Sequence, residues 1–319
     1  MHAKFLSFAA LAAVMSTGVA AAADMPVKAV KPVTPAPFFF VNDNSIGYRY
    51  EFTATNPGAG TTPKHVLNFT HFDVWAYGTN FFTVDWLKAT DGTATPAAPC
   101  DRGVGTGCSG YTEIYGFFRS TFGLNEISGT KMFSAGPLSN VSLMVGADLN
   151  TDNTTLGSAK RSIEAGIQFS FIAPYKGFIN LTPTVYKEWQ NDGFAALGTQ
   201  NPSGKVDFDT TWGFEWLYVQ PLGFLPPSVP LTFKAFGTIH GPKGTGEPGG
   251  VPRTTEIYAQ QNLELDVGKV LGSRPGMLST WVGYRYWYNK FGIDHNASTF
   301  AASRFAIEST WLLGVTMAF

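Results

Sequence analysis

From Asn44 to Phe319 the chain repeatedly runs in stretches of about ten residues in which apolar and polar side chains alternate, broken by segments rich in Gly, Pro and Asn. In NSIGYRYEFTAT, Ile46, Tyr48, Tyr50 and Phe52 share one parity, while Ser45, Gly47, Arg49, Glu51 and Thr53 share the other. RSIEAGIQFSF sets Ile163, Ala165, Ile167, Phe169 and Phe171 against Ser162, Glu164, Gly166, Gln168 and Ser170. In TTEIYAQQNLELDV the side with Glu256, Tyr258, Gln260, Asn262, Glu264 and Asp266 opposes Ile257, Leu263, Leu265 and Val267. Period-two alternation is strand periodicity, so each stretch has one greasy face and one that carries charge. A soluble sandwich would have to bring every aromatic face into a single core. A membrane barrel turns those faces to lipid and lines a watery lumen with the polar ones, using strands of about this length.

Counting such stretches gives strands near 44–55, 65–76, 81–89, 111–122, 139–150, 159–171, 177–189, 207–220, 230–240, 254–267, 277–289 and 304–319. The expected fold is an all-β, 12-stranded antiparallel transmembrane β-barrel spanning 44–319. Connections near 77–80, 172–176, 221–229 and 268–276 are compact, and those near 56–64, 90–110, 190–206, 241–253 and 290–303 are longer. This alternation places both chain ends on the periplasmic side. Segment 123–138 is a longer connection on the compact side, with no readable local structure. Charged residues are 14% and aromatics 15% of the chain, and the formal net charge is -1. An ordinary globular domain carries about a quarter charged residues, so the chain is charge-poor. Near-neutrality argues against nucleic acid as a partner.

The N-terminus fits export. MHAK is a short cationic start, FLSFAALAAVMSTGVA an apolar run, and AAAD an Ala-x-Ala cleavage site ending at Ala22 or Ala23, so 1–23 reads as a signal peptide. Residues 24–43, with Pro26, Pro32, Pro35 and Pro37 among lysines, read as an extended periplasmic tether. Cys100 and Cys108 share one Gly/Pro-rich outer loop. In an exported chain the simplest state is a disulfide, with two free thiols or a metal site as alternatives. No cofactor and no metal are expected.

HFDVWAYGTNFF, FSAGPLSN, VYKEWQNDGF, GYRYW and the closing STWLLGVTMAF together, in order and spacing, resemble the nucleoside-specific channel-forming outer-membrane proteins of the Tsx type. The resemblance covers roughly 44–319 and implies a monomeric twelve-stranded barrel in the bacterial outer membrane that passes nucleosides by facilitated diffusion. The Pro/Lys tether and the cysteine loop depart from that pattern. Phe319 on the apolar parity of the last strand is also the C-terminal signature that, by resemblance to barrel C-termini generally, the barrel assembly machinery reads.

Selecting a nucleoside takes aromatic faces for the base and carboxylate, amide or guanidinium partners for the ribose, all on the lumen parity. Binding must stay weak so that the solute leaves. Phe117, Trp75 and Trp287 are the candidates for stacking, and Asp73, Glu113, Arg119 and Arg285 for sugar contacts. Opposite charges across a small barrel also brace it and fill space, which is the competing account of the same residues. A general small-solute porin is the alternative function. An outer-membrane lipase or a structural barrel ranks lower, since His240 and His295 fall in or beside loops and His65 and His71 fit a polar lumen role. The chain is expected not to be an enzyme.

Overall fold

The computed structural model describes residues 38–57, 60–89, 112–153, 159–191, 203–297, 303 and 305–319. The signal peptide, most of the tether, and Cys100 and Cys108 lie outside the described residues. Twelve strands close into one antiparallel barrel. They are β1 (Phe39–Glu51), β2 (Lys64–Trp75), β3 (Gly78–Ala89), β4 (Thr112–Gly123), β5 (Leu138–Asp152) and β6 (Arg161–Ala173). The other half comprises β7 (Gly177–Asn191), β8 (Thr211–Pro221), β9 (Leu231–His240), β10 (Glu256–Asp266), β11 (Leu278–Tyr288) and β12 (Glu308–Ala318). Each pairs with its sequence neighbours, and β1 pairs with β12 from Ser45↔Ala318 to Glu51↔Leu312. Closure leaves no barrel strand with an open edge. A short strand, Lys205–Asp207, adds to the end of β7.

The expected strand positions hold to within a few residues, with one extension. β1 begins at Phe39 rather than Asn44, because FFFVND pairs with the end of β2 as far as Trp75 although it does not alternate. Segment 123–138 contains a one-turn helix, Leu124–Ser128, ended by Gly129 in the left-handed region. Asn125 organises the loop after this helix, donating to Ser134 Oγ and the Ser139 carbonyl while accepting from the Phe133 N–H. Pro183 sits inside β7 without an N–H to give. Accordingly, the ladder to β6 is interrupted between Gly166↔Thr184 and Phe169↔Leu181.

Burial separates the two faces of the wall. Ile46, Leu67, Val84, Ile114, Leu143, Ile163, Val185, Trp212, Val282 and Trp311 are exposed on the outside. Glu51, Asp148, Glu164, Glu188, Glu256, Arg285 and Glu308 are buried on the inside. An apolar exterior around a charged interior is the reverse of a water-soluble protein.

Candidate functional site

The ladders decide which of the sequence-derived candidates look inward. Glu113, Phe117 and Arg119 on β4 share the inner face with Tyr115, and Arg285 and Trp287 on β11 share it with Trp281. Asp73 and Trp75 do not. Across the sheet Asp73 opposes Asn42 and Asn80, in the same outer parity as the exposed Ile46, Leu67 and Val84. The assignment of Asp73 and Trp75 to the lumen is therefore corrected: both face outward.

The Asp73 carboxylate is satisfied there by neighbouring side chains, whereas Trp75 Nε1 has no hydrogen-bond partner among the described residues. Asn80 Nδ2 donates to Asp73 at 2.9 Å, Asp73 pairs with His71 Nε2 at 3.1 Å, and Asn44 meets His71 Nδ1 at 2.9 Å. Trp75 stacks on Phe38 and meets Tyr77 and Phe122 edge-on, the aromatic clustering of a strand end at an interface. His65 also faces outward, hydrogen-bonded to Tyr48, so a polar lumen role for His65 and His71 is set aside. The lipase arrangement is not formed around His71 either. Its two ring nitrogens meet Asn44 and Asp73, and Ser120 Oγ donates to Asn80 rather than approaching the imidazole.

At mid-height one side chain crosses the lumen. Arg119 on β4 reaches Glu215 on β8, four strands away around the wall, with its Nη2 donating at 2.7 Å and its Nε at 3.0 Å. The same guanidinium donates to Asp148 on β5 at 2.8 Å and pairs with Glu164 on β6. Gly146 makes room for it, since a Cβ there would sit 2.6 Å from Arg119 Cδ. The arginine also lies 3.8 Å over the Phe117 ring. Phe117 is thus inward as expected, but one face of its ring already holds a cation of this chain.

Toward the long-loop end the interior is filled. Arg49 joins Glu51 at 2.9 Å and Asp85 at 2.6 Å. Arg285 joins Glu51 at 3.0 Å and Glu308 at 3.4 Å, Lys290 joins Glu308 at 2.7 Å, and Lys64 joins Glu113 at 3.0 Å. A second group centres on Glu188, which accepts from Lys243 at 2.5 Å, Tyr186 at 2.6 Å and Gln190 at 2.5 Å. Trp287 Nε1 donates to Glu256 at 2.8 Å, and Lys290 lies 4.4 Å over the Trp287 ring. Burial presses the Lys290 ammonium below the usual lysine range, with Glu308 pulling the other way.

Lys243 and Lys290 come from loops, not strands. Backbone bonds tie these loops over the mouth: Asp209 N–H to the Lys243 carbonyl, Thr254 N–H to that of Gly292 and Lys290 N–H to that of Ala306. Phe208 is fully buried beneath them. Loop residues have no periodicity, so neither lysine was legible as an interior group; the unpaired carboxylates Glu188 and Glu308 on the inner parity were the available signal. Toward the short-turn end the lining is smaller and half-buried, with Ser45, Thr70, Thr83 and Thr316 inward. There the Lys234–Glu264 pair keeps side-chain exposures of 37% and 23%, against 1% and 0% for Lys243–Glu188. The interior therefore narrows from the short turns toward the loops.

No family model and no curated protein sequence matches the chain. Several solved structures are similar to it. An outer membrane channel from Pseudomonas putida F1 is 11% identical with a TM-score of 0.47, covering 90% of this chain and 100% of that one. The KdgM porin in complex with disordered oligogalacturonate is 10% identical with a TM-score of 0.40, covering 86% and 99%. The outer membrane protein OprD from Pseudomonas aeruginosa is 12% identical with a TM-score of 0.26, covering 87% and 93%.

Proposed function

We propose that the chain is a bacterial outer-membrane channel through which small neutral or cationic solutes diffuse passively, with nucleosides as the favoured class. The observation that carries the reading is the inverted wall: apolar residues exposed outward on strand after strand, ionisable residues buried inward. The Arg119 crossing makes the mid-lumen narrow, which favours small solutes over chains. Three carboxylates, Asp148, Glu164 and Glu215, surround that one guanidinium, a surplus of negative charge that disfavours anions.

Nucleosides are supported by aromatic rings on the inner parity beside hydrogen-bonding groups, Tyr258 and Trp287 next to Gln260, Glu256 and Arg285, together with the Tsx-type resemblance. Compact turns on the side of the chain ends agree with a periplasmic location of those ends. The test is conductance of the purified protein in planar bilayers while uridine, sucrose and glutamate are titrated. Discrete conductance reduced by millimolar uridine and not by glutamate is expected. Equal effects of all three solutes would replace the nucleoside reading with a general porin, and absence of conductance would refute both.

A further inference from the structure

Beneath the mouth loops, four inward positions lie directly across from one another on adjacent strands: Thr184 on β7, Gly213 on β8, His240 on β9 and Glu256 on β10. The three side chains share a property rare in a folded interior. Thr184 Oγ1, both ring nitrogens of His240, and Glu256 Oε2 are buried and make no hydrogen bond among the described residues. The nearest cation to Glu256 Oε2 is Lys243 Nζ at 3.8 Å, already bonded to Glu188. Gly213 brings the row together, since a Cβ there would lie 2.2 Å from Thr184 Oγ1 and 3.4 Å from His240 Cδ2. Tyr186 stacks on the other side of the imidazole at 3.8 Å between centroids.

A buried polar group without a partner is costly, so neighbouring orphans on one row call for a partner from outside the chain. The chemistry of that partner is set by the groups the row offers. A hydroxyl both donates and accepts, a neutral imidazole does one of each, and Glu256 Oε2 accepts. Among the described residues the row has no free cation for a carboxylate or phosphate, and the Glu256 charge is already faced by Lys243. What matches is a neutral molecule carrying several adjacent hydroxyls, each able to donate and accept.

We propose that Thr184, His240 and Glu256 form a subsite for the hydroxyls of a neutral polyol, either a free sugar or the ribose of a nucleoside. This deepens the channel reading by placing its solute contact below the Lys243 loop. It also assigns a role to His240, which has no place in the ion-pair networks.

The test is thermal unfolding of the full chain folded in detergent micelles, titrated with ribose, uridine and uracil, beside bilayer conductance with the same solutes. Ribose and uridine should raise the unfolding temperature and uracil should not. Thr184→Val and His240→Leu should each weaken the apparent affinity for ribose at least tenfold, while His240→Gln retains part of it. Thr184→Val removes an unpartnered hydroxyl at nearly constant volume, so it is the variant that tests the row without unfolding the barrel. No stabilisation of the wild type by ribose, or affinity unchanged in both Thr184→Val and His240→Leu, means that the row holds water only and overturns the subsite. Stabilisation by uracil equal to that by uridine overturns the hydroxyl recognition. Conductance without ribose stabilisation sinks the subsite alone; ribose stabilisation without conductance sinks the channel alone.

Discussion

Glu215→Gln and Arg119→Ala should move the ion selectivity of the pore in opposite directions. Glu215 meets Arg119 at 2.7 Å across the lumen, and Asp148 and Glu164 meet the same guanidinium from β5 and β6. Three carboxyl groups around one guanidinium leave this cluster with a surplus of negative charge. Glu215→Gln lowers the surplus by one while keeping an amide oxygen that still accepts from Arg119. Arg119→Ala raises it by one and removes the crossing itself.

For a permeating ion about 5 Å from the altered charge in water, Coulomb's law gives about 0.8 kcal/mol, favourable for one sign of ion and unfavourable for the other. The cation-to-anion permeability ratio should therefore move by roughly an order of magnitude in each variant, because about 1.4 kcal/mol is a factor of ten. The assay is the reversal potential of the reconstituted channel across a KCl gradient. Glu215→Gln should shift it toward anions. Arg119→Ala should shift it toward cations and also raise the conductance, since the crossing is gone. Loss of an arginine from buried carboxylates costs roughly 3–5 kcal/mol, so that variant is to be scored only where it folds, with Glu215→Gln as the decisive one. An unchanged reversal potential in Glu215→Gln would show that ions do not pass this cluster and would refute the placement of the constriction.

Two further outcomes test the wall. Leu313→Arg, on an exposed outer position of β12, should destabilise the barrel in vesicles by about 2–4 kcal/mol in denaturant unfolding, the cost of a charge near the middle of a lipid face. A change below a few tenths would argue that this face does not meet lipid. Asp73→Asn and Trp75→Ala should leave conductance and solute block unaltered, because both side chains face outward; an altered conductance in either would return them to the lumen.

The barrel was legible because lipid on one side and water on the other impose a two-residue period that survives in sequence. Thus on β12 Glu308 and Thr310 are buried on one parity while Trp311 and Leu313 are exposed on the other. Parity tells which residues share a face but not which face it is. His71, Asp73 and Trp75 do share one, yet near the short-turn end of β2 the pattern inverts, with apolar Phe72 and Val74 on the inner parity, and only the ladder to Asn44 and Asn80 fixes the His71 side as the outer one. The Arg119 cluster was half visible. Arg119 is on the parity opposite to the apolar Ile114 and Phe118, but its three carboxylates come from β5, β6 and β8 and are joined only by closure of the sheet. The strand start at Phe39 was missed because FFFVND carries no alternation.

The interior charges divide by balance, and the division separates bracing from selection. Among the described residues, Arg49, Lys64, Arg285 and Lys290 face Glu51, Asp85, Glu113 and Glu308, four against four, around the seam where β12 meets β1. Lys160 and Lys243 face Glu188 and Glu256, two against two, under the loops. Such neutral sets present little net field to a solute at a distance, and burying them is tolerable because each charge has its counter-charge. Among the ion pairs of the described residues the Arg119 set is the unbalanced one, and it is also the one that spans the lumen. A charge surplus at a narrow place sets a field that every passing solute crosses, whereas the same surplus at the seam would only destabilise closure. The Thr184, His240 and Glu256 row is set apart from both kinds. Its unmet groups are hydrogen-bonding rather than ionic, which makes it suited to recognising hydroxyls once the mid-lumen field has excluded anions.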